Sequence, residues 1–362
     1  MRVPARALLL ALLISIGCRD ARPPVERPRL AAWVVDWNDA LLRDALGVVR
    51  DHHEVLSQID LFRFRLTTEG DAVATRPLTA LHRRLVDTAR AYGLSVVATV
   101  VNDTVGGDGK IVELKDAALV ETILRDDTRR VRLARRLAAV ARDEGLDGID
   151  LDFEGVTGSH QDRFLDFVSE LAGALHADGK RLIVTVAPPP VGTAGKPPPT
   201  STDALADLAA LVDEVRVMAY HHHHPTSAPG PSAPVEWLDA VVDRSRAAMP
   251  AEKLSIALYA GGWEWRNGRR EQLTSSEAVS LAKNLEAMLE WSENADAVHF
   301  HVDGAKGGIE VWYEDACSLV RKIERVRRAG IRTVALWHLG KQDPELFSAL
   351  RAGRCERPTT RP

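Results

Sequence analysis

Short apolar runs rich in β-branched residues alternate along the chain with longer stretches in which apolar residues recur every three to four positions. The first pattern predicts buried strands, the second helices with one buried face. Strands are expected at residues 31–35, 58–64, 95–101, 148–153, 181–187, 214–220, 254–259 and 333–337. The helical pattern is clearest at 128–144, 162–177, 201–212 and 313–329. Eight strands alternating with helices predict an α/β protein built as a closed (β/α)8 TIM barrel. Gly93 and Gly145 each precede a strand and suit helix-terminating positions. Arg129, Arg130, Arg132, Arg135 and Arg136 crowd one helix and predict a solvated face.

Two interruptions break the alternation. Residues 188–200, rich in proline and glycine, predict a stiff wall beyond the fifth strand. Residues 263–322, between the seventh and eighth strands, predict a small, reduced α+β insertion, with a helix at 275–291 and strands at 297–302 and 309–313. A chain of 362 residues holds a barrel of about 250 residues together with these additions. The net charge of −4, with both signs interspersed, gives no case for a nucleic-acid partner. Nothing after residue 30 is long and apolar enough to cross a bilayer.

The N-terminus reads differently. Arg2 and Arg6 precede an apolar run over 7–16 that is too short to span a membrane but suits a secretory signal. It leads into Ile14-Ser15-Ile16-Gly17-Cys18, which resembles a bacterial lipobox with Cys18 as the lipidated residue. The expected layout is a lipoprotein signal at 1–17, a charged, proline-bearing tether at 18–29, a barrel domain at 30–352 and a tail at 353–362. Such a protein would be exported, anchored in the bacterial envelope through Cys18, and monomeric. Cys317 and Cys355 then either pair as a disulfide or remain free thiols.

The candidate chemistry is concentrated in Asp147-Gly148-Ile149-Asp150-Leu151-Asp152-Phe153-Glu154. On a strand, residues two apart share a face, so Asp150, Asp152 and Glu154 point one way and Ile149, Leu151 and Phe153 the other. Stacked carboxylates make a poor core, because each buried charge must be paired or neutralised. Their presence on an otherwise apolar strand marks a site where coupled acids are used. Asp147 is assigned a structural bond at the strand's start. Because a barrel places its chemistry at the C-terminal strand ends, Asn102, Glu154, Met218, Tyr220 and Trp337 are brought together.

The octapeptide resembles the DGxDxDxE signature of glycoside hydrolase family 18, the chitinase-like family, at every fixed position. Met218-Ala219-Tyr220-His221 is similar to the family's MxYD motif. Residues 336–344, from Leu336-Trp337 to Asp343-Pro344, resemble the ending of bacterial members related to spore-cortex glucosaminidases. The resemblance spans about residues 31–343 and implies a retaining, substrate-assisted glycosidase that needs no metal or organic cofactor. It implies that Glu154 is the acid and base and that Asp152 orients the substrate's acetamido group. Asp150 would share a proton with Asp152, Tyr220 would bond the attacking carbonyl, and Trp337 would floor the sugar. Met218, His221, Asn102 and Trp263 are further candidate substrate contacts. Asn102 could equally form a turn, and Trp263 and Trp265 could belong to the insertion's core.

The expected substrate is a glycan with β-1,4 linkages next to N-acetylglucosamine, in peptidoglycan or a chitin-like polymer. An aromatic content of 5% favours short or soluble substrates over crystalline ones. The departure at His221, where the family has aspartate, keeps two alternatives in view. One is a non-catalytic glycan-binding protein on the same barrel. The other is a metal-dependent hydrolase using the histidines His221–His224, which adjacent positions on a strand make awkward.

Overall fold

The computed structural model describes residues 29–156, 160–191, 202–224, 226–304, 308–340, 342–355 and 357. The predicted signal, Cys18, nearly all of the tether, and most of 188–200 and of the tail lie outside them. Eight strands form the barrel: β1 (Arg29–Val35), β2 (Leu56–Thr67), β3 (Ser95–Val105), β4 (Gly148–Asp152), β5 (Arg181–Val186), β6 (Glu214–Met218), β7 (Leu254–Tyr259) and β8 (Thr333–Trp337). Each pairs in parallel with the next, and β8 closes onto β1 over the register Arg29↔Thr333 to Ala32↔Leu336. This is the (β/α)8 barrel that the hydrophobic pattern predicts. Two short strands, Ala72–Ala74 and Ile111–Glu113, add antiparallel to β2 and β3.

The strand ends differ from expectation where it matters. β4 stops at Asp152 rather than Phe153, and β6 at Met218 rather than Tyr220. For β4 the reason is local. The Glu154 N–H donates to the Asn102 side-chain oxygen at 3.0 Å, and the Asn102 amide donates to the Glu154 carbonyl at 2.9 Å. These bonds replace ladder partners. Gly155, with φ 78°, then turns the chain away. At the strand's start, Gly148 is needed for close approach, because a Cβ there would collide with the Arg181 carbonyl. Asp147 accepts from the Val96 N–H at 2.7 Å, so it ties β4 to β3.

Alternation sorts β4 as predicted. Ile149, Leu151 and Phe153 join the apolar layer under the outer helices Asp127–Asp143 and Gln161–Ala177, which supply Leu133, Leu137, Phe167 and Val168. Arg130 departs from the predicted solvated face. It is buried, with Nη1 2.7 Å from Asp127 and Nη2 3.0 Å from Glu170. Its long stem lets it bridge two helices that a shorter side chain could not. Gly145, with φ 63°, ends the first of these helices as expected.

Inside the barrel the usual branched apolar layers give way to a polar column. Arg216 is fully buried, 2.9 Å from Asp60, 3.0 Å from Glu214 and 3.5 Å from Asp150. Gln58 donates to Asp60 at 2.6 Å, and Ser255 donates to Glu214 at 2.6 Å. Burial, despite Arg216, pushes the Asp60 carboxyl up to about 7. Buried charge is tolerable here because hydrogen bonds surround it.

The insertion runs from Gly262 to Tyr313 around a five-stranded antiparallel sheet. Its order is Arg269–Leu273, Gly262–Arg266, Ile309–Tyr313, Ala297–Val302, Glu290–Ser292. Its helix covers Ser275–Asn284, shorter than the predicted 275–291, because Glu286 turns left-handed at φ 53° and Trp291 enters a strand. Ala278, Ala282, Leu289, Val298, Phe300 and Val311 give this unit its own apolar core. The following helix, Ala316–Arg328, begins later than the predicted 313 because Asp315 caps it, accepting from the Ser318 N–H at 2.7 Å. Cys317 on that helix is disulfide-bonded to Cys355, which settles the choice left open by sequence.

Candidate active site

The three acids on and just beyond β4 occupy three environments. Asp150 lies inside the barrel with no exposed surface. Its Oδ2 accepts from the Trp33 indole at 3.1 Å and the Thr99 hydroxyl at 2.9 Å, and its Oδ1 from the Thr185 hydroxyl at 2.7 Å. Burial raises this carboxyl above the usual aspartate range, while Arg216 and those donors hold it back. Both oxygens are thus occupied, and among the described residues no hydrogen bond joins Asp150 to Asp152. The two carboxyls are nevertheless coupled through space, the charge of Asp150 adding to the rise at Asp152.

Asp152, one turn of alternation higher, is buried at 7% exposure. Its Oδ1 has no hydrogen-bond partner among the described residues. Burial, then the charges of Glu154 and Asp150, push its carboxyl well above the usual range. Glu154 sits at the rim with a partly exposed side chain, and Oε1 lies 2.5 Å from the Lys115 ammonium. A buried acid of raised proton affinity beside one that reaches solvent is the arrangement from which different roles arise.

Asp152 and Glu154 open into a cavity of ≈ 630 Å³. Met218, Tyr220, His221 and Trp337 line it, as do Asn102, Asp152 and Glu154. Trp337 is set by an edge-on contact with Trp33 at 5.6 Å between ring centroids and with Phe62 at 4.9 Å. The Trp337–His338 peptide is cis. Burial, with the charges of Asp152 and Glu154, pushes the Tyr220 phenol well above its usual value, so it remains a hydrogen-bond donor. His221 is left-handed at φ 63°, and its Nε2 is buried without a partner among the described residues. Burial, helped by the Lys115 charge, pushes its imidazole down to about 4, so it is neutral at neutral pH. Two cavity-lining residues, Asp152 and His221, thus each carry a buried polar atom, Oδ1 and Nε2, with no hydrogen-bond partner among the described residues.

Other candidates are redistributed. Asn102 lines the cavity, but both ends of its amide hold the Glu154 backbone, so it forms no turn of its own. Trp263 does not line the cavity. It is 9% exposed and packs on Tyr259 and His221 in the aromatic seam between barrel and insertion, with Trp265 in the same cluster. His222 and His223 contact each other, and His222 packs on Trp237. Among the described residues, no group of three metal-ligating side chains converges.

Sequence reasoning missed Trp37, Phe62, Arg65, Asp103, Lys115 and Gln272 on the cavity wall. Trp37 and Asp103 were findable, since each lies at or just past a strand's C-terminal end. Lys115, beyond the hairpin strand Ile111–Glu113, and Gln272, on an edge strand of the insertion, carry no sequence signal that separates them from ordinary surface residues.

A barrel that brings acids at the end of its fourth strand into an aromatic-lined cavity has the frame of a glycosidase. The glycosyl hydrolases family 18 model matches residues 105–343, and the chain belongs to that family. It is 26% identical over 298 residues to the putative sporulation-specific glycosylase YdhD of Bacillus subtilis, covering 81% of this chain and 68% of that protein. It is 24% identical over 303 residues to the cortical fragment-lytic enzyme of the same organism, covering 82% and 67%. Among solved structures, the chitinase of Chromobacterium violaceum superposes with a TM-score of 0.78 at 22% identity, over 91% of this chain and 100% of that one. The Bacillus cereus spore cortex-lytic enzyme SleL gives 0.76 at 20% identity, over 91% and 75%.

Proposed function

We propose that this glycosidase retains configuration by a substrate-assisted route and cleaves β-1,4 linkages next to N-acetylglucosamine in peptidoglycan or chitin-like glycans. The observation that carries this reading is Asp152. It is a buried carboxyl with a raised proton affinity and an oxygen without a partner among the described residues, placed between Asp150 and the rim acid Glu154. In this reading Asp152 accepts the N–H of the substrate's 2-acetamido group and turns that group's carbonyl toward the anomeric carbon. The carbonyl oxygen then bonds to the anomeric carbon as the glycosidic bond breaks, and Glu154 gives its proton to the departing oxygen. The Tyr220 hydroxyl donates to the acetamido oxygen, while Trp337 supplies an apolar floor. Water then attacks the anomeric carbon, Glu154 takes its proton, and the acetamido group is released. The relatives named for cortex lysis support a cell-wall glycan over crystalline chitin.

Cleavage products from purified peptidoglycan and from chitooligosaccharides, followed by mass spectrometry, test the reading. Glu154→Gln is expected to lower the rate by about 10²–10⁴-fold without loss of glycan binding. A variant as active as wild type would remove Glu154 from the chemistry.

We infer likewise that residues 1–17 are a lipoprotein signal, that Cys18 carries lipid, and that a monomer is exported to the bacterial envelope. The Gly17-Cys18 junction after the apolar run supports this, as does the Cys317–Cys355 pair, since disulfides persist in oxidising compartments. Metabolic labelling with a fatty acid should mark the wild type and not Cys18→Ala.

A further inference from the structure

Among the described residues, Arg65 and Lys115 face the cavity as cations, and they are held differently. Arg65 is half-buried against Asp103, with Nε 3.2 Å from Oδ2 and the two side chains 12% and 10% exposed. Lys115 has a side chain 58% exposed, and its ammonium rests on Glu154. The base of Lys115 is fixed. Its backbone is left-handed at φ 54°, and its N–H donates to Asp103 Oδ1 at 3.1 Å. A non-glycine residue held in that conformation at a cavity rim is a reason to look for a use. From that base the flexible four-carbon stem is free to swing. Its charge already reaches deep into the site, since it opposes the rise at Asp152 and adds to the depression at His221.

Position and chemistry are at odds in this pair. A salt bridge is made by a carboxylate, whereas a group that protonates a leaving oxygen must carry the proton. Lys115 therefore has to leave Glu154 before the proposed first step. A neutral sugar hydroxyl is a poor competitor for an ammonium already on a carboxylate, whereas a second carboxylate is an even match. Ile111 and Leu114, exposed on the same rim and lining the same cavity, would border an alkyl arm carrying such a group.

We propose that Lys115 selects glycans bearing a carboxylate beside the scissile bond, such as the lactyl ether of muramic acid, and that this carboxylate draws Lys115 off Glu154. The inference rests on the glycosidase reading above and assigns it an anionic substrate. Lys115 is on this account a specificity residue that releases the acid only when the matching sugar is seated.

The test measures binding and cleavage separately. The full chain, as wild type, Lys115→Met and Lys115→Arg, is titrated by calorimetry with an N-acetylglucosamine–N-acetylmuramic acid oligosaccharide and with its lactyl methyl ester. Wild type should bind the acid about fivefold more tightly than the ester, a preference that shrinks with added salt. Lys115→Met should bind both alike, and Lys115→Arg should keep most of the preference. Equal affinity of the wild type for acid and ester, or binding of neither, overturns the proposal, as does a preference that survives in Lys115→Met. Hydrolysis by the wild type is scored in parallel. No cleavage with the acid preference intact tells against the glycosidase mechanism and leaves the assignment of Lys115 standing, whereas cleavage without that preference does the reverse.

Discussion

At the scale of single residues, the site depends on side chains that hold other groups in place. Asn102 is 1% exposed and bonds the Glu154 backbone at both N–H and C=O. Asn102→Ala should displace the acid and lower kcat by roughly 10–100-fold, with KM little changed. A rise in KM alone would instead make Asn102 the sugar contact that its position at a strand end suggests. The carboxylate motif was legible because period-two alternation converts its spacing directly into a shared face. The job of Asn102 was not, because its partner lies 52 positions away and is backbone rather than a recognisable side chain. Lys115 was hidden for a similar reason: a lone lysine in a loop has the statistics of any solvated residue. Trp263 shows the converse ambiguity: of the two uses open to a tryptophan near a strand end, its packing on Tyr259 and His221 fits the seal between two units.

At the scale of elements, Gly148→Ala tests how tightly β4 is set against β5. The added methyl meets the Arg181 carbonyl, and the backbone shift needed to relieve it should destabilise the fold by about 1–3 kcal/mol in thermal unfolding. An unchanged melting temperature would show that β4 shifts freely. The Cys317–Cys355 bond joins positions 38 apart. Replacing both with serine should destabilise the fold by about 2–4 kcal/mol through the longer unfolded loop, read as a lower denaturation midpoint. All eight barrel strands were legible, since each is an apolar run bounded by helical stretches. The insertion was legible only in part. Its edge strand Arg269–Leu273 reads Arg-Arg-Glu-Gln-Leu and is almost wholly exposed, so no alternation announces it. Glu290–Ser292 is too short to interrupt a helical pattern.

For the molecule as a whole, buried acids set the response to pH. Burial raises Asp60 and Glu314 to about 7, and it raises Asp150 and Asp152 as well. A carboxyl whose folded value lies above its unfolded one contributes stability that is complete below about pH 4 and lost as pH rises through about 7. His221, lowered to about 4, acts in the opposite sense, and its contribution fades as pH falls from about 6.5 towards 4. Glu214 is held below its usual value by Arg216, against its own burial. With several acids set against one strongly shifted imidazole, the melting temperature should be about 5 °C higher at pH 5.5 than at pH 8.5. Asp60→Asn should flatten that slope, and a protein more stable at pH 8.5 would contradict the assignment of protonated acids. One further consequence follows from the separate apolar core of the insertion. Gln272 reaches the cavity wall from a sheet whose packing is independent of β4. Substitutions there can reshape the cavity mouth without unsettling the acids, so descendants of this barrel could change diet while inheriting the same reaction.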